Sequence, residues 1–290
     1  MSSQRVNEGV VGTVSMAVEG DGMASTALAG GPREGALYVK SLEKGLRVLY
    51  AFRQGGTSLG LGEIAERTGL HPSAAQRFIH TLCRLGYLSR DARTRRYSVA
   101  PKLLDFSFIY LCADRLAEVA TPHMIDLGKQ CDEAVNLSQL DGAEIISIVR
   151  MPRRGVRTAA VVGSRRPAFC TSAGRVLLAD LPNERTREII ATSERSPLTP
   201  TTHTEVDTIM RHIEAARSDG FAIVDEEFVI GEISVAAAIF DDTGAATAAL
   251  NIPVPTARWS VDDARARLAP AVVLAARAIS RANGSPDAFD

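Results

Sequence analysis

The chain has 290 residues, 46% of them hydrophobic and 23% charged, which is typical of a soluble globular protein large enough for two domains. A formal net charge of −1 excludes a chain that is basic throughout. The four cysteines are far apart and form no C-x-x-C pair, so they predict neither a disulfide framework nor a zinc or redox motif.

The first 36 residues are rich in Gly, Ala, Ser and Val without periodicity, which predicts a disordered tail. We expect a second short tail over 285–290. One hypothesis places the biological start at Met16 or Met23, and sequencing the N terminus of the native protein tests it. No apolar run reaches the roughly 18 residues of a membrane span, and the N terminus makes a poor secretory signal. These features predict a cytoplasmic protein.

Residues 37–100 predict a winged helix-turn-helix domain, and its first helix begins at Ser41, a candidate N-cap. Apolar residues at helical spacing predict the buried face of this helix: Leu42, Leu46, Leu49 and Phe52. The segment 54–56 carries two glycines and predicts the end of the helix.

Two more helices follow at the spacing of a helix-turn-helix. The first covers about 61–68 and ends at Gly69, which tolerates the positive φ of the turn. The second begins at Pro72 and carries its apolar residues on one side: Ala75, Phe78, Ile79, Leu82 and Leu85. Two β-prone runs, 87–89 and 96–99, predict a wing hairpin.

A local basic surface lies on this module. Between His71 and Lys102 the cationic side chains are opposed only by Asp91, and a local cluster is what phosphate binding needs. Gln76 and Arg77 have the hydrogen-bonding groups to read adenine or guanine, or to hold phosphate. The predicted DNA-binding residues are Ser73, Ala74, Gln76, Arg77, His80, Thr81, Arg90, Arg93, Arg95 and Arg96.

Beyond residue 100 we expect a linker helix over 101–115 and an effector-binding domain over 116–284. The linker helix carries its apolar residues as Leu103, Leu104, Phe106 and Ile109. A helix over about 116–131 is followed by strands and helices in alternation. Strands are predicted at 135–140, 144–151, 158–162, 221–224, 234–240 and 247–252, and helices at 172–180, 204–218 and 261–282. Hairpin turns at 141–142 and 241–244 favour an α+β fold with an antiparallel sheet.

Three segments resemble the IclR family of bacterial regulators and together cover about residues 38–283. The run 61–70 (LGEIAERTGL), with Gln76, Arg77, Phe78, Leu82 and the run 86–88 (GYL), is similar to the N-terminal module of the family. The run 163–179 (GSRRPAFCTSAGRVLLA) resembles its effector-domain signature, and 220–227 (GFAIVDEE) with Gly231 is a third match. The run 151–154 (MPRR) and the variant 170–172 (CTS) are most similar to the branch that regulates aromatic-acid catabolism through β-ketoadipate. Ala75, smaller than the usual core residue, and the long N-terminal tail depart from the family.

The resemblance implies a GAF-like effector domain, a homodimer or homotetramer, a double-stranded DNA operator and no cofactor. It also implies a small carboxylate effector, such as protocatechuate, 4-hydroxybenzoate or β-ketoadipate. Carried over position by position, the expected effector contacts are Arg154, Gly155, Arg157, Thr158, Ser172, Ala173, Asp225, Ser234 and Asn251. The helix start at Ser172 favours a carboxylate, and Asp225 and Asn251 offer hydrogen bonds to ring hydroxyls.

Simpler interpretations of the same residues stay open. The acidic run 225–227 is also typical of a solvated turn, Ser172 of a plain helix cap, and the arginines of solvated surface charge. An enzyme would use Cys170 as nucleophile, but the sequence has no H-E-x-x-H or Walker motif, so we expect neither catalysis nor a metal site. An oligomerisation or protein-binding module is the other alternative, which a thermal-shift screen with hydroxylated benzoates distinguishes.

Overall fold

The computed structural model describes residues 37–54, 56–153 and 162–285. The predicted tail 1–36 and residues 286–290 lie outside this part of the chain, as does the predicted strand at 158–162 except for its last residue. Val162 lies in a turn.

The amino-terminal module is a winged helix-turn-helix. Its elements are the helices α1 (Lys40–Tyr50), α2 (Leu61–Thr68) and α3 (Pro72–Arg84) and the strands β1 (Leu88–Arg90) and β2 (Tyr97–Val99). A 3₁₀ turn, Ala51–Gln54, follows α1. The two strands pair antiparallel, and Leu59 adds an isolated bridge to Tyr97. Side chains from all three helices and the wing form one small core, which fixes the orientation of α3.

The predicted inner face of α1 is wrong in part. Leu42 and Leu46 are 63% and 48% exposed, whereas Val48 is fully buried. The helix begins at Lys40, so Ser41 lies inside its first turn and is not the N-cap. Leu85 is 52% exposed because α3 ends at Arg84 and the chain turns away there. Apolar spacing predicts that a helix has an apolar face, but the packing of neighbouring elements decides which side of the helix is buried.

The linker region has two helices separated by Asp114. A 3₁₀ turn, Pro101–Leu103, leads into α4 (Leu104–Ala113), and α5 is Arg115–Cys131. The Asp114 carboxylate accepts a hydrogen bond of 2.9 Å from the Leu116 N–H and so caps α5. The helix α4 is apolar all round, and most of its large side chains are exposed to solvent: Leu104, Phe106, Phe108, Ile109, Tyr110 and Leu111.

The carboxy-terminal part contains a six-stranded sheet in which every pairing is antiparallel, in the order β5-β4-β3-β8-β7-β6. Its strands are β3 (Val135–Asp141), β4 (Glu144–Met151), β5 (Arg165–Pro167), β6 (Ala222–Asp225), β7 (Glu232–Phe240) and β8 (Ala246–Pro255). The helices are α6 (Ser172–Asp180), α7 (Asn183–Thr192), α8 (Val206–Asp219), α9 (Val261–Asp263) and α10 (Ala269–Ala282), with a π-helical segment, Ala264–Leu268, between the last two. The α+β fold class is confirmed.

Both faces of this sheet are covered by helices. Apolar residues of α5 and α10 pack on one face, and those of α6 and α8 pack on the other. Alternate residues of β7 and β8 therefore belong to different cores, which explains why both strands are apolar along most of their length. Among the helices in the described ranges, none has the length and apolar run that a membrane span needs.

The sequence analysis missed two elements. The strand β5 consists of two arginines and a proline, so it has no apolar alternation, and it lies at the sheet edge where proline is tolerated. The helix α7 is mostly polar and buries only Thr186, Ile189 and Ile190. Neither element has a face apolar enough to show the periodicity on which the prediction relied.

Candidate functional site

The exposed face of α3 carries most of the side chains predicted to bind DNA. The turn before it passes through Gly69, whose φ of +65° is left-handed and closes α2. Five of the predicted residues on α3 are exposed and the sixth, Ala74, is half-buried; the exposed ones are Ser73, Gln76, Arg77, His80 and Thr81. The Ser73 Oγ lies 2.8 Å from Nδ1 of His71, which caps the helix. The arrangement leaves Gln76 and Arg77 near the start of a helix whose outer face is polar.

The wing tip is a tight turn organised by Asp91. Its Oδ1 accepts hydrogen bonds from the backbone of Arg93 (2.9 Å) and Thr94 (2.6 Å) and from the Thr94 hydroxyl (2.9 Å). These hydrogen bonds, chiefly the one from the Thr94 backbone, lower the pKa of Asp91. Because the Asp91 carboxylate is engaged in these hydrogen bonds, the exposed side chains of Arg90, Arg93 and Arg95 dominate the surface charge of the wing.

Arg96 has a different environment from the other wing arginines. Its Nη2 lies 2.8 Å from a carboxylate oxygen of Glu63 and donates a 2.8 Å hydrogen bond to the Ser58 carbonyl, while Nε donates to the Ser58 hydroxyl at 3.1 Å. Glu63 also accepts a 2.7 Å hydrogen bond from the Gly60 N–H, and this bond, followed by Arg96, lowers its pKa. Arg96 therefore holds the wing against the start of α2.

A cavity lined by both polar and apolar side chains lies between the start of α6 and the sheet of the carboxy-terminal part. It encloses about 350 Å³ of atom-free space, including solvent at its mouth. Its lining comes from five strands, the first turn of α6 and the segment after β6: Ile145, Arg166, Cys170, Thr171, Ser172, Ala173, Val224, Phe228, Val229, Glu232, Ser234 and Asn251.

Three of the predicted effector contacts meet in this cavity through hydrogen bonds. The Ser172 hydroxyl donates to the Ser234 Oγ at 2.8 Å, and the Asn251 side-chain amide donates to the same oxygen at 3.0 Å. Thr171 caps α6 by accepting from the Gly174 N–H at 3.3 Å, and the start of this helix lines the cavity. Ala173 also lines the cavity.

Two charged residues of the cavity were not predicted. Arg166 lies on β5, and its guanidinium carbon is 5.1 Å from the centre of the Phe228 ring. Glu232 begins β7, and burial raises the pKa of its carboxyl, while the positive charges of Arg166 and Arg150 act against that rise. The signal that would have found Arg166 is the arginine pair at 165–166 inside the family signature, but the missed strand hid which of the two faces inward.

The other effector predictions have different outcomes. Asp225 is exposed and is not among the cavity-lining residues, because alternation along β6 turns the preceding Val224 into the cavity and Asp225 to the opposite side. Its predicted contact with ring hydroxyls is therefore not supported by the structure. Four predicted contacts, Arg154, Gly155, Arg157 and Thr158, lie outside the described residues.

Cys170 lies at the cavity wall just before α6. It is fully buried, and burial, with a smaller contribution from the charge of Glu227, raises the pKa of its thiol to about 12. A thiol with such a pKa stays protonated at neutral pH and is a poor nucleophile. All four cysteines are free thiols.

Two family models match the chain. The model described as "Bacterial transcriptional regulator IclR C-terminal" matches residues 108–281, and the "IclR helix-turn-helix domain" matches residues 41–92. The first alone covers more than half of the chain.

Known relatives and solved structures agree with these matches. The chain is 34% identical over 242 residues to the Pca regulon regulatory protein of Pseudomonas putida, covering 83% of this chain and 82% of that protein. It is 33% identical over 227 residues to the p-hydroxybenzoate hydroxylase transcriptional activator of Acinetobacter baylyi, covering 76% and 83%. The crystal structure of an IclR family transcriptional regulator from Brucella abortus superposes with a TM-score of 0.75 at 26% identity, covering 88% of this chain and 96% of that one.

Proposed function

This chain belongs to the IclR family of bacterial transcriptional regulators, and we propose that it controls aromatic-acid catabolism genes in response to a small carboxylate effector. The relatives named for the Pca regulon and for p-hydroxybenzoate hydroxylase support the aromatic class. The observation that carries the proposal is the cavity in which Arg166 and the start of α6 face the hydrogen-bonded group of Ser172, Ser234 and Asn251.

The chemistry of this cavity fits a hydroxylated aromatic acid such as protocatechuate or 4-hydroxybenzoate, or the related β-ketoadipate. The guanidinium of Arg166 and the free N–H groups of α6 offer partners for a carboxylate. Ser234 accepts two hydrogen bonds, which leaves its own proton for an oxygen of the ligand. Ile145, Val224 and Phe228 supply an apolar wall for a ring or a methylene chain.

We further propose that α3 enters the major groove of a double-stranded operator. The exposed Gln76 and Arg77 lie where the recognition helix of a helix-turn-helix meets base edges. Arg90, Arg93 and Arg95 would contact the phosphate backbone, while Arg96 keeps the wing in place. In this proposal the DNA-binding domain spans 37–100, the linker 101–115 and the effector-binding domain 116–284.

A second copy of the chain would cover α4. Apolar side chains exposed to water are unfavourable, and association with a second copy would bury them. We therefore propose a homodimer, with a tetramer as a further assembly step. Two recognition helices must meet half-sites about one DNA turn apart, so a small change in their spacing alters operator affinity.

Contacts from the DNA-binding and linker regions to the sheet offer a physical route for this coupling. Arg53, just after α1, donates a 3.0 Å hydrogen bond to Glu144 at the start of β4, and the Tyr110 hydroxyl of α4 donates to Gln139 of β3. Glu144 precedes Ile145, which lines the cavity.

We propose that the chain is a regulator and not an enzyme. The protonated thiol of Cys170 argues against a cysteine nucleophile, which was the catalytic interpretation with most support in the sequence. The relatives named above are regulators as well.

Calorimetric titration of the purified chain with protocatechuate, 4-hydroxybenzoate, β-ketoadipate and unsubstituted cyclohexane carboxylate tests the proposal. We expect saturable binding of at least one of the first three and a shift of operator binding in the presence of that ligand. Arg166→Gln should weaken binding about tenfold or more, because it removes a charge-assisted hydrogen bond, whereas the exposed Arg185→Gln should not. Absence of binding by all three acids would refute the proposed effector class.

A further inference from the structure

Two histidines and one glutamate form a cluster outside the cavity lining. His203 lies in the segment before α8, His212 lies on α8 and Glu227 follows β6; one ligand atom from each lies within 4.8 Å of the others. The two imidazole rings are 4.7 Å apart between centroids and 68° apart in orientation. No metal site was predicted from the sequence, because its cysteines form no C-x-x-C pair and it has no H-E-x-x-H motif.

His212 has an unpaired polar atom. Its Nδ1 is buried, and among the described residues it has no hydrogen-bond partner. A buried polar atom without a partner is unfavourable because its hydrogen bond to water is lost without replacement, so such an atom in a native structure needs an explanation.

Glu227 is held in a fixed orientation. Its side chain is 6% exposed, and Oε2 accepts a 2.7 Å hydrogen bond from Arg175 and a longer one, 3.4 Å, from the His203 N–H. The Thr202 hydroxyl donates to the Glu227 carbonyl at 2.6 Å. The hydrogen bonds that the described residues make to this carboxylate go to Oε2, which leaves Oε1 available to a metal ion. Residues that orient a ligand in this way are usual around metal sites.

We propose that His203, His212 and Glu227 form a site for a divalent transition metal, with zinc as the best fit. Two imidazoles and one carboxylate are a common zinc ligand set, in which water takes the fourth position. Magnesium and calcium prefer oxygen ligands only. In a tetrahedral zinc site neighbouring ligand atoms are about 3.4 Å apart, and the ligand atoms here all lie within 4.8 Å of one another, so a bound zinc ion would draw them closer together. The side chain of His203 is exposed. The same exposure gives the metal a path of entry.

A metal here would stiffen one wall of the cavity. Phe228 and Val229, directly after Glu227, line that wall, and His203 and His212 would tie the wall to α8. The inference does not depend on the identity of the effector, because it concerns residues behind the lining.

The test uses the full chain, stripped with a chelator and carrying Cys112→Ser to remove the exposed thiol. We expect one equivalent of zinc to bind and to raise the Tm, with no such rise in magnesium. His203→Ala should weaken zinc binding about tenfold or more, since loss of one of three protein ligands is at least as costly as loss of an orienting residue. His80→Ala, which removes an exposed histidine of α3, is the matched control and should bind as the parent does.

Cobalt identifies the ligands independently. The cobalt-loaded chain should lack the thiolate-to-metal charge-transfer band in the near ultraviolet, because Cys170 is not a ligand in this proposal. His212→Asn should lose binding as His203→Ala does. Equal zinc affinity of His203→Ala and His80→Ala, equal stabilisation by magnesium, or a strong thiolate band would each overturn the proposal.

Discussion

Arg175 and Glu227 form an ion pair that is almost entirely buried, with 2.7 Å between Nη2 and Oε2 and side chains 3% and 6% exposed. Arg175 also donates from Nε to the Phe169 carbonyl at 3.2 Å. The pair joins α6, whose first residue faces the cavity, to the segment after β6, whose Phe228 forms another wall. Two walls of the cavity are therefore held together by one interaction.

Breaking this pair from one side should destabilise the protein severely. Arg175→Met leaves the Glu227 carboxylate buried without compensation, so the free energy of unfolding should fall by about 3–5 kcal/mol in urea denaturation. The double variant Arg175→Met/Glu227→Leu should recover much of that loss. Arg187→Met, which breaks an exposed pair with Asp207, is the control and should cost no more than about 1 kcal/mol. Equal losses for Arg175→Met and Arg187→Met would contradict the prediction.

Gly174 should not tolerate a side chain. A Cβ at this position would lie 2.1 Å from the Ala168 carbonyl oxygen, a backbone atom that cannot move aside easily. We expect Gly174→Ala to cost about 3 kcal/mol or more in urea denaturation, through overpacking at the start of α6. Gly62→Ala in α2 meets no atom within 4 Å and should stabilise by about 0.5–1 kcal/mol. If Gly174→Ala left the free energy of unfolding unchanged, the start of α6 would be less tightly packed than the structure shows.

Arg77 should be needed for operator binding and not for effector binding. Its side chain is exposed on α3, away from the cavity, so Arg77→Ala should abolish specific gel shifts while the titration with effector stays unchanged. Arg187→Ala provides a control arginine outside the DNA-binding module. An unchanged gel shift with Arg77→Ala would count against α3 as the recognition helix.

The wing arginines should separate into phosphate contacts and a positioning residue. Arg93→Ala should reduce the slope of log affinity against log salt by about 0.9, the value for one phosphate contact, without lowering the Tm. Arg96→Ala, in contrast, should lower the Tm, because it breaks the contacts to Glu63 and Ser58. If Arg96→Ala changed the salt slope alone, Arg96 would be a phosphate contact like its neighbours.

Glu232 should make stability depend on pH. Burial raises its pKa in the folded protein above the ordinary value of 4.5, so in the window from 4.5 up to the folded pKa the folded state binds more protons than the unfolded one. The stability that this group contributes is fully present below 4.5 and is lost as pH rises through the folded pKa. Relative to the parent, Glu232→Gln should therefore gain stability as pH rises through this window.

Urea denaturation of the parent and Glu232→Gln at several pH values measures that difference. Glu184→Gln, an exposed carboxylate at the start of α7, is the control. If the free energies of unfolding of the parent and of Glu232→Gln changed with pH in parallel, burial would not raise the pKa of Glu232.

Several features of the site could be predicted from local patterns. The helix at 172–180 was predicted with both of its bounds, although the residue that caps it is Thr171 and not Ser172. Gly69 at the turn and the wing hairpin were also recognised from adjacent residues. Ser172, Ser234 and Asn251 were placed together through the family resemblance, and the structure shows them in hydrogen-bond contact.

The sequence by itself determined most of the elements in their order, the DNA-binding module and the family, because these depend on periodicity, turn residues and motifs within short stretches of chain. Only the tertiary structure decided that Arg166 faces the cavity while Asp225 does not, that Arg96 supports the wing, and that His203, His212 and Glu227 meet. The reason is physical: strand alternation and packing between distant segments select which side of an element is covered, and no local pattern contains that choice.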